Sequence, residues 1–464
     1  MIPPESITKI LQKALSSGGA FADIFIERSS STTIHCEDDK IEKVIGGTDQ
    51  GAGIRIIYNL KTIYGYTNDL REPSLLELAG ALSSAVKEEN PREQTLSLTR
   101  RWPSLSFPIL EPPTNVGTAA KVKVVERANK AARQIDPRIR QVKVSYRDRL
   151  REVTMANSED LLCEDQRTEI LFLVQVVAAD GQIIQTGYEP IGGFQGLEIF
   201  SEEPPEAVAQ RAARRALTML EAHPAPAGRM TVILSSQAGG TMIHEAIGHG
   251  LEADLAQEGL SVYSRRLGER IASPLITVID DATLPKKRGS FAIDDEGIEA
   301  ERTVLVEEGI LKSYLYDRLS AMKDSTRSTG NGRRESYQHK PIPRMTNTFI
   351  CPGESDPEAI IRATDKGLLV KKMGGGQVNT VNGDFVFEVS EGYLIEGGAI
   401  GPAVRGATLI GNGPRILQEI DMVGSDLGFG IGTCGKDGQG VPVSDAQPTL
   451  RIPEIVVGGQ GSRP

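Results

Sequence analysis

Cysteine is scarce in this chain of 464 residues: there are four, Cys36, Cys163, Cys351 and Cys434, with no CxxC pair among them. That excludes a disulfide framework and a zinc-ribbon module, while leaving any single thiol free to ligate a metal. Long apolar runs are missing as well, and no segment approaches the roughly eighteen residues that a membrane-spanning helix needs. The opening Met1-Ile-Pro-Pro-Glu-Ser has neither a basic stretch nor an apolar one, so no secretory signal is expected and the chain reads as cytoplasmic. Basic charge is not in excess either. Lysine and arginine number 52 against 62 acidic residues, a net charge of -10, which makes nucleic acid and anionic membrane poor partners. Aromatic residues are only 5% of the chain and histidines number five.

What the chain does have is glycine, 49 residues of it, concentrated in the second half among short apolar runs. Strands joined by tight turns fit that pattern better than a helical bundle. Helices are expected over residues 5–15, 74–87, 118–134 and 205–222, where apolar residues recur at helical spacing. Strands are expected over 21–28, 32–36, 53–58, 142–146, 152–156 and 169–178, with a turn at Asn59-Leu-Lys and a proline-rich linker over 100–113. Arg55-Ile-Ile-Tyr…Tyr64-Gly-Tyr before one helix is echoed by Leu173-Val-Gln-Val…Thr186-Gly-Tyr before another, a hint of a duplicated sheet-plus-helix unit. His223-Pro-Ala-Pro-Ala-Gly is the clearest boundary. The expectation is an α+β protein of two domains. Residues 1–225 form an N-terminal domain of sheet plus helices, and residues 226–464 a mainly β domain carrying one long helix with the histidine motif.

That motif is His244-Glu245-Ala-Ile-Gly-His249. Metal-binding helices commonly place two histidines four residues apart with a glutamate beside the first. Here the step is five, which on an ideal α-helix turns the second imidazole about 140° away from the first. A π-bulge at Ile247 and Gly248 would return both to one face. Histidine, glutamate and histidine on an apolar helix are hard to account for as packing, since buried charge is costly unless it is paired or metal-bound. Glu245 is then the natural general base. A third protein ligand is required, and the sequence offers Glu252, Asp254, His339 and Cys434.

Three blocks, His244-Glu245-Ala-Ile-Gly-His249-Gly-Leu-Glu-Ala-Asp254, Met373-Gly-Gly-Gly-Gln-Val-Asn and Gly432-Thr-Cys434-Gly-Lys, resemble the TldD/PmbA family of metallopeptidases, in its TldD-type form with the histidine motif intact. Their order and spacing match across nearly the whole chain. The resemblance implies Zn2+ held by His244, His249 and Cys434, with Glu245 as general base. It also implies proteolysis of peptides or small unfolded proteins inside a closed dimer cavity, as a homodimer or as a heterodimer with a PmbA/TldE-type paralogue. The family's other label, modulator of DNA gyrase, keeps a second reading in view: a noncatalytic polypeptide-binding protein with a structural zinc.

Other stretches carry weaker signals. Gly374, Gly375 and Gly376, before the alternating run from Phe385, offer bare backbone to which an extended peptide substrate could add as a strand. Gly430-Ile-Gly-Thr-Cys-Gly435 matches GxGxxG, but Pro442 and Pro448 follow and no helix opens, so dinucleotide binding is excluded. His223 is expected to cap a helix C-terminus. The polar, arginine-rich stretch 324–340, with His339, is expected to be a mobile lid or substrate clamp.

Overall fold

The computed structural model describes residues 2–88 and 95–459, so Met1 and 460–464, the outer ends of the two expected domains, fall outside it. Helices and strands are mixed throughout, an α+β fold. In the N-terminal half, β1 (Phe21–Glu37), β2 (Lys40–Tyr58), β3 (Lys61–Thr67), β4 (Thr99–Arg101), β5 (Ile139–Asn157), β6 (Leu161–Asp180) and β7 (Ile183–Gly193) build one sheet. Its order is β3-β2-β1-β5-β6-β4, with β7 also on β6. The strands are longer than their apolar runs. β1 continues through Ser29-Ser-Ser-Thr-Thr33, held in register by β2 and β5. Asn59 and Leu60, at φ of 50° and 55°, make the expected turn in the geometry that suits a twisted hairpin.

Helices α1 (Pro4–Ala14), α2 (Glu72–Ser83), α3 (Thr118–Arg133), α4 (Ile199–Glu202) and α5 (Pro205–Glu221) complete this half, and a helix–three-strand–helix order occurs twice within it. Ile24, Ile54 and Ile56 pack under α1 and α2, whereas Val144, Phe172 and Val174 pack under α3 and α5. The fit at α5 is close. A Cβ on Gly187 of β7 would lie 1.9 Å from the Ala212 carbonyl oxygen. Gly187→Ala should therefore destabilise the fold by about 1–3 kcal/mol, as overpacking does, seen as a lower urea midpoint at unchanged slope. An unchanged midpoint would mean that α5 can slide away at no cost.

The helix α5 ends before His223, which lies exposed in a two-residue strand, β8 (His223–Pro224), beside Val404. It caps nothing. Next come β9 (Gly228–Leu234), β10 (Val278–Asp281), β11 (Arg302–Glu307), β12 (Ile310–Leu311), the pair β13 (Gly332–Arg333) and β14 (Ile342–Pro343), and β15 (Asn347–Ile350). The chain closes with β16 (Lys366–Val378), β17 (Asp384–Glu396), β18 (Ala399–Arg405), β19 (Thr408–Asn412), β20 (Met422–Val423), β21 (Gly428–Lys436), β22 (Gln439–Gln447) and β23 (Leu450–Gly458). Pairing runs β16-β9-β23-β19-β17 and returns to β16, so these five strands close on themselves. A second sheet, β12-β11-β10-β15-β22-β21, ends on β21. The core between them takes in Met242, Ile243, Ile247 and Leu251 of the motif segment.

The face of the N-terminal sheet opposite its helices meets the C-terminal half through charge. Arg55 pairs with Asp23 and, at 2.7 Å, with Glu296. Arg167 pairs with Asp295 at 2.6 Å. Burial pushes the Asp295 carboxyl up, but Arg167, Arg151 and Arg334 outweigh it and hold the group at about 2. Of residues 324–340, the part from 329 to 337 lies largely within this junction. Arg333 and Arg334 are buried, Arg334 donates to the Asp295 carbonyl at 3.0 Å, and Tyr337 N donates to Glu27 at 3.0 Å. From Thr329 to Tyr337 the expected lid is thus a packed strap, because Arg333 and Arg334 find carbonyls and carboxylates inside rather than solvent, whereas 324–327 are exposed.

Candidate metal centre

The expected single long helix is absent. Thr241–Ile243 begins an α-turn, His244–Gly248 is π-helical, His249–Leu251 tightens to a 3₁₀ turn, and the chain kinks at Glu252 before Ala253–Gln257. The π-turn absorbs the additional residue between the histidines, so both imidazoles reach one place. Their ring centroids are 5.0 Å apart. Gly248 keeps an ordinary helical φ of −56°, so conformational freedom is not why glycine stands there. A Cβ would meet the Met345 sulfur at 2.1 Å, and it is this close approach that requires glycine. The Tyr263 hydroxyl donates to the Ala246 carbonyl at 3.0 Å, inside the irregular turn.

Cys434 arrives from the other side. It sits on β21, with the hairpin reversing at Asp437 and Gly438. Its sulfur lies 3.2 Å from His244 Nε2 and 3.4 Å from His249 Nε2. Donors at zinc distances of ~2.0–2.1 Å for nitrogen and ~2.3 Å for sulfur, arranged tetrahedrally, would be about 3.5 Å apart. The three residues therefore fit a zinc ion. Among the described residues no other group of three such donors gathers. Burial pushes the Cys434 thiol up, but hydrogen bonds and charge from both histidines overcome that and hold it at about 5. The sulfur is thus poised as the thiolate that a metal takes.

The other three candidate ligands take other roles. Glu252, fully buried, receives His249 Nδ1 at 2.9 Å, which turns Nε2 toward the sulfur. Burial raises its carboxyl, yet Lys436 at 3.2 Å and His249 hold it at about 2. Asp254 pairs with Lys436 at 2.7 Å. His339 Nδ1 lies 3.2 Å from the Ser336 hydroxyl, away from the cluster. Two residues that spacing did not single out are Asp445, 3.8 Å from His244 Nδ1 and accepting Gly240 N–H at 3.2 Å, and Arg344, which caps the Cys434 carbonyl. Asp445 is placed by strand register, opposite Gly430 of β21 on one side and Thr348 of β15 on the other. A Cβ on Gly430 would strike its carboxylate at 2.8 Å, so that glycine, the first of the three in the false GxGxxG match, was the one available signal. Glu252→Gln should weaken zinc binding about 10–100-fold, measured by competition with a chromophoric chelator; unchanged affinity would deny Glu252 an orienting role.

Glu245, the residue after His244, is half-buried and its side chain makes no hydrogen bond or ion pair to any described residue. Of the three glycines, Gly374 and Gly376 would strike Ser390 and Phe387 if given a Cβ, whereas Gly375 faces open space. Gly374 and Gly375 form a bulge in β16, between the Met373–Val389 and Gly376–Phe387 pairs. β9 pairs with β16 only at 367–370, so beyond Val370 that edge has no strand partner among the described residues. The outer edge of β21 is occupied by contrast, its Gly432 and Cys434 carbonyls taken by Arg288 and Arg344.

Three family models match in succession: PmbA/TldA metallopeptidase domain 1 over residues 22–88, the central domain over 111–220 and the C-terminal domain over 227–459. The chain is 37% identical over 448 residues to the metalloprotease TldD homolog of Haemophilus influenzae, covering 95% of this chain and 93% of that one. It is 28% identical over 454 residues to the zinc metalloprotease TldD homolog of Saccharolobus solfataricus, with 97% and 99% coverage. Two solved structures share its fold. A candidate modulator of DNA gyrase from Thermotoga maritima superposes with a TM-score of 0.78 at 20% identity, over 94% of this chain and 96% of that chain. TldE from Thermococcus kodakarensis gives 0.76 at 19%, over 98% and 100%. No helix of the described residues is long and apolar enough to cross a membrane.

Proposed function

Because this chain belongs to the PmbA/TldD family of metallopeptidases, we propose that it is a zinc-dependent peptidase acting on unfolded peptides or small flexible proteins. His244, His249 and Cys434 would hold the metal and Glu245 would be the general base. The observation that carries this reading is the convergence of three metal donors, with the carboxylate that follows the first of them, Glu245, engaged by no described residue. When bound, zinc would supply Lewis acidity, polarising the scissile carbonyl and easing deprotonation of water. The chain's own residues do the rest. Glu245, uncommitted to any hydrogen bond, is free to take a proton from the attacking water and to return it to the leaving amine. Glu252 fixes the His249 ring. The unpaired edge of β16 at Gly374, Gly375 and Gly376 offers main-chain groups along which an extended peptide could lie as an added strand.

The alternative, a noncatalytic polypeptide-binding modulator, would need a closed zinc site with four protein ligands. Three donors gather here, which favours the enzyme. Assembly with a second copy or with a TldE-type paralogue belongs to the same proposal, supported by the shared fold of TldE. The test is hydrolysis of an unstructured polypeptide by the purified chain against its Glu245→Gln variant, with zinc content measured in both.

A further inference from the structure

Arginines recur at every second position of β5, Arg147, Arg149 and Arg151, so all three point to the sheet face that overlooks the metal-binding half. Their carboxylate partners run short. Glu27 Oε1 receives both Arg151 at 2.8 Å and Arg149 at 3.0 Å. Arg147, exposed, makes no ion pair or hydrogen bond to any described residue. Arg288, from the metal-binding half, lies near this row, close enough to feel Glu169 and Arg147. It is buried, caps the Gly432 carbonyl and donates to Thr433 Oγ1 at 3.2 Å, leaves its Nε without a partner and has no ion pair. Glu169 is the carboxylate shared electrostatically among Arg288, Arg149 and Arg147. Burial raises it and those arginines bring it below its ordinary value.

Arg147 and Arg149 line an open polar pocket of 410 Å³ with Ser29, Ser336 and His339. Two carboxylates share its wall and both are engaged. Asp49 accepts the Tyr337 hydroxyl at 3.3 Å, and Glu335 accepts Gly440 N–H at 2.6 Å. Gly440 pairs with Gly435, the residue after Cys434, so the pocket abuts the tip of the hairpin that brings the thiolate to the metal donors.

We infer that this pocket is a subsite for a carboxylate of the polypeptide substrate, with Arg147 as its free guanidinium and Arg149 and Arg288 supplying the surrounding positive charge. The inference rests on the peptidase reading and deepens it: substrates carrying an acidic side chain or a free C-terminus near the scissile bond are preferred. A planar fork of N–H donors with no internal partner suits a carboxylate better than any neutral group.

Binding of fluorescein-labelled hexapeptides to the full-length Glu245→Gln protein, read by anisotropy, separates this from hydrolysis. Three alanine-rich peptides serve: internal Glu with an amidated end, internal Gln with a free carboxylate, and internal Gln with an amidated end. One of the first two should bind about tenfold more tightly than the third, and which one identifies the source of the carboxylate. Arg147→Gln should shrink that preference to under about threefold, and Arg147→Lys, which keeps the charge but loses the planar fork, should fall between the two. Arg147 is exposed and unpartnered, so neither variant threatens the fold. Equal affinity for all three peptides, or a preference indifferent to Arg147→Gln, overturns the subsite even if wild-type protein cleaves peptides. Charge-selective binding by a wild-type chain that cleaves none of them leaves the subsite standing and sinks the peptidase reading instead.

Discussion

Glu245→Gln should leave about one zinc per chain in place while reducing peptide hydrolysis by ~10²–10⁴-fold, the range that a positioned general base contributes. The separation of the two effects follows from geometry. Glu245 is not among the three converging donors, whose contacts run between His244, His249 and Cys434 alone. Glutamine matches glutamate in volume and Glu245 makes no hydrogen bond that the change could break, so neither fold nor metal should suffer. What is lost is the acceptor for the water proton and the donor for the leaving amine. The measurement is kcat/KM on an unstructured peptide beside metal analysis of the same preparation. Turnover at the wild-type rate would end the proposed mechanism. Loss of zinc together with turnover would show that Glu245 supports the site, and would reassign its role.

How far the sequence reveals this arrangement depends on what kind of signal each part leaves. The helices announce themselves because their buried faces are apolar at helical spacing. Expected spans of 5–15, 118–134 and 205–222 meet observed ones of Pro4–Ala14, Thr118–Arg133 and Pro205–Glu221. The five-residue histidine step forces a π-turn on any chain that is to bring both rings together, and the turn is there. The long hairpins are another matter. β5 alternates, but one of its faces is built of Arg147, Arg149 and Arg151, and a charged face reads as solvated unless its partners are known. Glu27, which takes Arg149 and Arg151, lies more than a hundred residues away. The same blindness turned 324–340 into a lid: two of its three arginines, Arg333 and Arg334, are buried against partners that only the tertiary fold supplies. Glu252 and Asp254 read as ligands because proximity in sequence says nothing of which ring nitrogen a carboxylate meets. Asp445 leaves no motif at all, since a strand register places it.

Cys434 carries the most exposed wager. Cys434→Ala should lower zinc affinity by well over the ~100-fold that loss of an outer hydrogen-bond partner costs, so that dialysed variant protein holds little metal where the wild type holds about one equivalent. Two histidines alone would remain, fixed by Glu252 on one side and by the π-turn on the other, and two ligands do not make a zinc site. The thiol also sits in the core beneath β21, so truncation leaves a small cavity whose cost of about 1 kcal/mol must be kept apart from the metal effect. Cys434→Ser separates them, since it fills nearly the same volume with a far poorer zinc ligand. Thermal unfolding with and without added zinc gives the independent readout. A ligand that binds only the folded state raises the midpoint, so the wild type should gain stability from zinc while both variants should not. Both variants gaining as much as the wild type would mean that the sulfur, 3.2 and 3.4 Å from the two imidazole nitrogens, is a hydrogen-bonded core residue. The third ligand would then have to come from outside the cluster that the fold has assembled.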